Sequence, residues 1–188
     1  MGSLTLIQES IIIGSILGDG SLRRAPGRLN ALLEINHSFA SKDYVDWKYR
    51  HMKNLVGTPP KRYKGNERRI AYRFTTRSLP EVTRFYERFY QDGKKIIPKG
   101  IGLEPLIMTV WFMDDGSKTY SALYLNTQQF DSDSQQRLIG QLFNQWKIEA
   151  TLNKDKIYHR IRIKTSSTPS FKKIIQPFVL PMFYYKLM

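Results

Sequence analysis

The chain contains no cysteine, and this absence excludes several classes of protein. Disulfide-stabilised scaffolds, iron–sulfur proteins and zinc sites with thiolate ligands all need cysteine side chains. Histidine is also scarce: His37, His51 and His159 lie far apart and show no metal-binding spacing. No apolar run approaches the ~18–20 residues that a membrane-spanning helix requires. We therefore expect neither a cysteine-based metal centre nor a membrane protein.

Acidic residues are few compared with basic ones. Of 188 residues, 30 are Lys or Arg and 16 are Asp or Glu, which gives a formal net charge of +14. A hydrophobic fraction of 41% argues against disorder, so this charge lies on a folded surface. It indicates a polyanionic partner: DNA, RNA or an anionic membrane. No segment combines a basic face with a long apolar face, so nucleic acid is favoured, with an ordinary solvated basic surface as the alternative.

Landmarks recur along the chain at a nearly constant distance, which indicates a diverged duplication rather than two unrelated halves. The landmark pairs are Asp19 with Asp115, Phe39 with Phe130, and 76–80 with 165–169, at offsets of 96, 91 and 89 positions. We predict one repeat over 1–92, a linker over 93–102 with two glycines and Pro98, and a second repeat over 103–188.

Both repeats show the same order of predicted elements. Each begins with an apolar helix, at 6–18 and 103–113, that ends in Asp-Gly. Two strands, a helix, two strands and a last helix follow in each. The sequence therefore predicts an α+β fold of two pseudo-symmetric αββαββα halves. The predicted later elements are strands near 21–25, 29–38, 61–65, 69–76, 117–121, 122–129, 148–153 and 157–165, and helices near 41–55, 79–90, 132–146 and 168–178.

Basic and amide side chains alternate with apolar ones along the predicted strands, so each sheet has an apolar back and a cationic front. Arginine can contact guanine, asparagine and glutamine can contact adenine, and a two-stranded ribbon fits the major groove. Such alternation also marks the wet face of any antiparallel sheet, but both halves carry the same sign of charge. The predicted DNA-binding residues are Arg69, Arg73, Arg77, Asn126, Gln128, Arg160, Arg162 and Lys164.

Asp19 and the pair Asp114 and Asp115 follow apolar helices at the ends where the helix dipole disfavours carboxylates, by ~0.3–1 kcal/mol each. A divalent cation would offset that cost, and Mg²⁺ needs few protein carboxylates when phosphate supplies further oxygens. If the two helices pack side by side, with Gly14 and Ser15 permitting close approach, Asp19 and Asp115 would meet. A single Asp-Gly after a helix is usually only a turn, but its recurrence favours a metal-assisted phosphodiester site.

Residues 12–20 and 108–116 resemble the paired motifs of the LAGLIDADG homing endonucleases. The resemblance is strongest to monomeric, two-repeat members encoded in introns, and it covers nearly the whole chain. The segments 94–98, 125–128 and 185–187 extend it. The first motif departs from the family pattern at Ile12 and Leu17, but both motifs keep the acidic residue before the final glycine.

The resemblance implies two halves packed through the motif helices, with antiparallel sheets that form a DNA-binding saddle on the major groove. It also implies that Asp19 and Asp115 bind Mg²⁺, for which Mn²⁺ would substitute. Backbone carbonyls of Gly18 and Asp114 would add ligands. The scissile phosphates, one in each strand, would lie across the minor groove.

Lys95 and Lys186 match basic residues near the family's active sites. They would polarise water or neutralise charge at phosphate, with ordinary contact to the DNA backbone as the alternative. The expected protein is a monomer that makes a double-strand break in a long, asymmetric target and promotes intron mobility. An RNA-binding intron maturase, or a relative that no longer cleaves, is the second interpretation. Organellar and prokaryotic hosts both fit.

Overall fold

The computed structural model describes residues 3–64, 70–120 and 122–188. The helices are α1 (Leu6–Leu17), α2 (Lys42–Met52), α3 (Pro80–Phe89), α4 (Pro105–Asp115), α5 (Ser132–Trp146) and α6 (Thr168–Ile175). The strands are β1 (Ser21–Arg23), β2 (Leu32–Ser38), β3 (Lys61–Lys64), β4 (Ile70–Thr75), β5 (Tyr90–Gln91), β6 (Lys94–Lys95), β7 (Gly116–Thr119), β8 (Ala122–Leu125), β9 (Ala150–Asp155) and β10 (Tyr158–Ile163). None of the described helices is long and apolar enough to cross a membrane.

The chain forms two compact units, Met1–Arg88 and Phe89–Met188. Each contains a four-stranded antiparallel sheet, in the order β1-β2-β4-β3 in the first unit and β7-β8-β10-β9 in the second. Equivalent strands therefore occupy equivalent places in the two sheets. The predicted α+β class with antiparallel sheets is confirmed. The predicted repeat limits of 1–92 and 103–188 stay a prediction.

Local sequence explains where α1 and α4 begin and why they are buried. Thr5 and Gln8 form a reciprocal capping box at the start of α1, and Pro105 occupies the first turn of α4, where its missing N–H costs nothing. Seven consecutive α4 residues, from Ile107 to Met113, are buried. A helix that is apolar all round belongs in an interior, and α4 is enclosed accordingly.

The sheets have the two-sided character that the alternation predicts. In β4, Tyr72 and Phe74 are buried, while Arg73 between them is only half-buried. In β10, Ile161 and Ile163 are buried and alternate with half-buried arginines. Helix α2 packs on the first sheet and α5 on the second, so each apolar back is covered by a helix. The fronts, which carry the polar side chains, remain open within each unit.

Several predicted boundaries differ from the structure. The predicted strand 122–129 ends at Leu125, so Asn126 and Gln128 follow β8 and do not belong to it. The predicted linker contains β6, which pairs with β5 in a two-stranded hairpin. The turn residues Asp92 and Gly93 adopt positive φ values there, and a two-residue turn of this kind is the usual hairpin connection. In addition, α4 continues through Asp114 and Asp115 rather than ending at Met113. Strand β7 then begins at Gly116, with no turn between the two elements.

Candidate functional site

The junction between α4 and β7 holds Asp115 in the last turn of the helix. Gly116 follows directly and begins β7, with φ −73°. A Cβ atom at Gly116 would lie 2.3 Å from Cδ2 of Phe112 and 2.4 Å from the Phe112 carbonyl oxygen. Glycine is therefore required by space and not by backbone handedness, because this φ is open to any residue. The close turn fixes the position of Asp115 between the two elements.

A hydrogen-bonded chain connects Asp115 to Lys95. The Lys95 Nζ donates to Oε1 of Gln129 at 2.8 Å, and Nε2 of Gln129 donates to Oδ2 of Asp115 at 3.4 Å. The Asp115 carbonyl also accepts from the backbone N–H of Asn126 at 3.0 Å. The structure thus brings predicted residues Asp115 and Lys95 to one place through Gln129. Sequence reasoning missed Gln129, although it directly precedes Phe130, one of the duplicated landmarks.

Lys186 lies at the same end of α4. Its Nζ donates to the carbonyl of Met113 at 2.8 Å and approaches that of Phe112 at 3.4 Å. Carbonyls in the last helical turn lack partners within the helix, and a cation there also interacts favourably with the helix dipole. The cost predicted for Asp114 and Asp115 at this end is therefore offset in part by a lysine from the C-terminal segment.

The first unit surrounds its carboxylate differently. Asp19 follows α1 in the turn that leads into β1, and its side chain is 47% exposed. Its Oδ2 lies 3.4 Å from Nδ1 of His37, a β2 residue whose ring also packs against Tyr44 with a centroid distance of 5.3 Å. Sequence reasoning set His37 aside because it had no metal-binding spacing. The only available signal was its nearness to landmark Phe39.

The donor atoms around the two aspartates suit a hard cation shared with phosphate. Within 3–64, 70–120 and 122–188, no group of three or more His, Asp or Glu side chains is gathered into a metal cluster. Each unit offers one predicted carboxylate and one predicted backbone carbonyl: Asp19 with Gly18 in the first unit, and Asp115 with Asp114 in the second. Mg²⁺ is commonly held by one or two carboxylates, with phosphate and water completing its shell. The donors fit that pattern, while the metal roles and the approach of Asp19 to Asp115 stay predictions.

In the first unit, the front of the sheet carries Arg73 half-buried, with its guanidinium carbon 3.8 Å from the ring centroid of Tyr63. Arg77 lies past the end of β4, and its Nη2 donates to the Asn54 carbonyl at 2.6 Å. Arg69 lies outside the described residues. An ion pair on this front, between Arg23 of β1 and Glu34 of β2, was not predicted from the sequence. A cleft of about 310 Å³ is lined by these two residues, Tyr63 and Arg73.

The predicted contacts of the second unit have polar partners of their own, and three of them lie beyond the strands: Asn126 and Gln128 follow β8, and Lys164 follows β10. Arg160 places its guanidinium carbon 4.1 Å from the ring centroid of Tyr124, and Arg162 lies directly opposite Tyr124 in the strand register. Gln128 donates through Nε2 to Oδ2 of Asp155 at 2.7 Å. The remaining predicted contacts are Asn126, which is half-buried, and Lys164, which is paired with Glu149 at 2.8 Å.

Comparison with known families identifies the class of the chain. The model of the LAGLIDADG DNA endonuclease family matches residues 9–171, so the chain belongs to that family. The resemblance drawn from residues 12–20 and 108–116 is confirmed, including the single-chain type with two motifs.

Relatives carry two kinds of description. The chain is 27% identical over 209 residues to the DNA endonuclease I-ChuI of Chlamydomonas applanata. This match covers 98% of this chain and 96% of that protein. It is 28% identical over 205 residues to the cytochrome b mRNA maturase bI2 of Saccharomyces cerevisiae, which covers 100% of this chain. The chain spans only 48% of that maturase.

Solved structures show the same fold. The homing endonuclease I-WcaI, bound to its DNA recognition sequence, superimposes with a TM-score of 0.92 at 26% identity, over 100% of this chain and 88% of that one. A mesophilic variant of the homing endonuclease I-DmoI gives 0.60 at 13% identity, over 91% of this chain and 96% of that one. The second likeness concerns the fold alone.

Proposed function

We propose that the chain is a site-specific homing endonuclease that makes a double-strand break in a long, asymmetric DNA target and thereby promotes intron mobility. The observation that carries this proposal is the set of groups around the end of α4. Asp115 accepts from Gln129, Gln129 accepts from Lys95, and Lys186 lies on the last helical carbonyls. A protein that only bound nucleic acid would have no need to gather a carboxylate, an amide and two ammonium groups at one helix end.

Each residue has a definite chemical part in this proposal. Asp19 serves one strand and Asp115 the other, each supplying carboxylate oxygens to a divalent ion. When bound, Mg²⁺ supplies Lewis-acid stabilisation of the attacking and leaving oxygens. Gln129 holds the Asp115 carboxylate in orientation through its amide. Lys95 and Lys186 neutralise charge that develops on the phosphate.

The polar fronts of the two sheets would contact the DNA. Arg73 and Arg160 lie on the front of each sheet and are half-buried, which suits base edges better than flexible surface contacts. Arg162 and Asn126 complete the proposed base contacts in the second unit. Gln128, Lys164 and Arg77 already have protein partners, so we assign them to the phosphate backbone. The two fronts differ in sequence, which is why the target would be asymmetric.

Cleavage of a selected duplex tests the proposal. The protein is incubated without divalent ions with a randomised duplex library, bound duplexes are enriched, and the consensus is cloned into a plasmid. We expect Mg²⁺ or Mn²⁺ to convert this plasmid to the linear form, and EDTA to prevent it. Asp19→Asn and Asp115→Asn should each abolish linearisation while the dissociation constant stays unchanged. An enriched plasmid that stays intact with both metals would refute the endonuclease proposal.

RNA-directed maturation is a second candidate, and the observation that favours it is the likeness to maturase bI2 proteins of two yeasts, Saccharomyces cerevisiae and Debaryomyces hansenii. The chain covers 48% and 72% of those proteins, respectively. An intron-containing precursor RNA should then splice faster in the presence of the protein, and the Asp19→Asn and Asp115→Asn variants should retain that effect. Splicing that does not respond to the protein would exclude this candidate.

A further inference from the structure

Each sheet places one arginine of its polar front over the ring of a tyrosine of a neighbouring strand. In the first unit the guanidinium carbon of Arg73 lies 3.8 Å from the ring centroid of Tyr63. In the second unit that of Arg160 lies 4.1 Å from the ring centroid of Tyr124. Both distances are well within the ~6 Å over which a cation is attracted to a ring face. The same stack therefore occurs in both units.

The strand register explains how these stacks form. Tyr63 of β3 lies opposite Ala71, so Arg73, two residues further along β4, is its diagonal neighbour. Tyr124 of β8 lies opposite Arg162, so Arg160 is again the diagonal neighbour. Diagonal pairs on one face of an antiparallel sheet are within reach of aromatic and long side chains. Both stacks are thus set by backbone pairing and do not depend on loop conformation.

The stacks restrict the arginines without using up their hydrogen-bonding edges. An unrestrained arginine loses rotamer freedom when it binds, whereas a planar guanidinium already held on a ring loses less. In the second unit, Nε of Arg160 is buried and makes no hydrogen bond among the described residues, and its guanidinium carbon lies over the Tyr124 ring. In the first unit, Arg73 borders the open cleft of about 310 Å³.

We propose that Tyr63 and Tyr124 are positioning residues that aim Arg73 and Arg160 at guanines, one guanine in each half of the DNA target. This inference rests on the proposed function, because it assumes that the sheet fronts contact a duplex. Guanine presents O6 and N7 to the major groove, and an arginine fork contacts both atoms at once. Such a bidentate contact depends on the orientation of the guanidinium plane, which the tyrosine ring controls.

In the two sheets, the strand that carries the tyrosine lies on opposite sides of the strand that carries the arginine. Tyr63 belongs to β3, the outer strand farthest in sheet order from β1, which follows α1. Tyr124 belongs to β8, which neighbours β7, the strand that follows Asp115. Arg73 is therefore drawn away from the carboxylate end of its unit and Arg160 towards it. The guanine contacted by Arg160 should lie closer to a cleavage position than the guanine contacted by Arg73.

The test uses the full chain and duplexes enriched from a randomised library in the absence of divalent ions. At each preferred guanine, 7-deazaguanine replaces guanine and removes the N7 acceptor alone. For the wild type we expect about tenfold weaker binding at one such position in each half-site. Tyr63→Leu should abolish this sensitivity in one half-site only, and Tyr124→Leu in the other. Tyr63→Phe and Tyr124→Phe keep the ring and should retain the sensitivity.

Controls separate positioning from stability and from the proposed function. Arg73→Ala should bind as weakly as the double variant Arg73→Ala with Tyr63→Leu, because the tyrosine acts only through the arginine. Thermal unfolding of each variant identifies the temperature at which all are folded, and binding is measured there. Leucine variants that keep the wild-type sensitivity to 7-deazaguanine would overturn the inference while leaving the endonuclease proposal intact. A library from which no duplex is enriched would overturn both.

Discussion

In the second unit Asp115 accepts a hydrogen bond from Gln129, which in turn accepts one from Lys95, whereas in the first unit Asp19 lies beside His37. One carboxylate is thus oriented by an uncharged amide, and the other is next to an imidazole ring. Both aspartates lie where the first helix of a unit gives way to the first strand, but Asp115 is the last residue of α4 whereas Asp19 follows α1 in a turn, so both the backbone and the neighbouring side chains differ. Because the two carboxylates have different surroundings, we expect unequal cleavage of the two DNA strands.

The largest expected effect comes from removing either carboxylate's charge. Asp115→Asn and Asp19→Asn should each slow cleavage of one strand about a thousandfold, because metal-assisted stabilisation is worth several kcal/mol. Each variant should therefore accumulate nicked plasmid, with the nick in opposite strands, as read by denaturing electrophoresis with strand-specific labels. Nicks in the same strand from both variants would contradict the assignment of one aspartate to each strand.

The next effect concerns the two glycines that follow the aspartates. Gly116→Ala should cost about 3 kcal/mol of unfolding free energy, because the new Cβ meets the ring and carbonyl of Phe112. Gly20→Ala should cost about 1 kcal/mol, since its Cβ meets Ser15 Cβ at the longer distance of 2.8 Å. Urea denaturation measures both values. A loss that is equal in the two variants would show that the second junction is not the tighter one.

A smaller effect should follow from removing the amide that orients Asp115. Gln129→Leu keeps the side-chain volume and should slow cleavage of the Asp115 strand on the order of tenfold, as is typical for partners of metal ligands. The matched variant His37→Phe should alter only the Asp19 strand. Single-turnover rates for each labelled strand check this prediction. If Gln129→Leu slowed both strands equally, its role would not be local to Asp115.

The smallest expected effect concerns the residues that precede two equivalent helices, α5 and α2. The Asp131 carboxylate caps α5 by accepting from the Ser134 backbone N–H at 2.7 Å, while Ser41 before α2 makes no side-chain cap. Asp131→Ala should therefore cost about 1 kcal/mol of unfolding free energy at pH 7, and Ser41→Ala close to nothing. Urea denaturation of the two alanine variants tests the difference. A similar cost for both would mean that the Asp131 cap contributes little.

The Asp131 cap should also depend on pH. The hydrogen bond from the Ser134 backbone holds the pKa of Asp131 below its usual value of 3.8. Stabilisation by a carboxylate whose pKa is lowered on folding is complete above about 3.8 and is lost as the pH falls through the folded pKa. The gap between wild type and Asp131→Ala should therefore close under acid conditions. A gap that does not narrow as the pH falls below 3.8 would show that the charge is not responsible.

Much of the fold could be predicted from patterns that act over short distances. Alternation along 69–77 and 157–164 identified the polar fronts, and the two Asp-Gly sequences located the ends of α1 and α4. What these patterns could not predict was which partner each polar side chain would meet. Gln128 was expected to face DNA, yet its amide is held by Asp155 from β9, 27 positions away. Gln129 was overlooked because, although it precedes the landmark Phe130, nothing in the sequence shows that its amide reaches Asp115.

The sequence by itself determined the element order, the duplication, the net positive charge and the positions of Asp19 and Asp115, because these follow from composition and local periodicity. Only the tertiary structure decided that Gln129 joins Lys95 to Asp115, that His37 lies beside Asp19, and that Tyr63 and Tyr124 support arginines. The physical reason is that such contacts depend on strand register and on side-chain reach between residues distant along the chain. Those quantities are fixed only when the sheets have paired and packed.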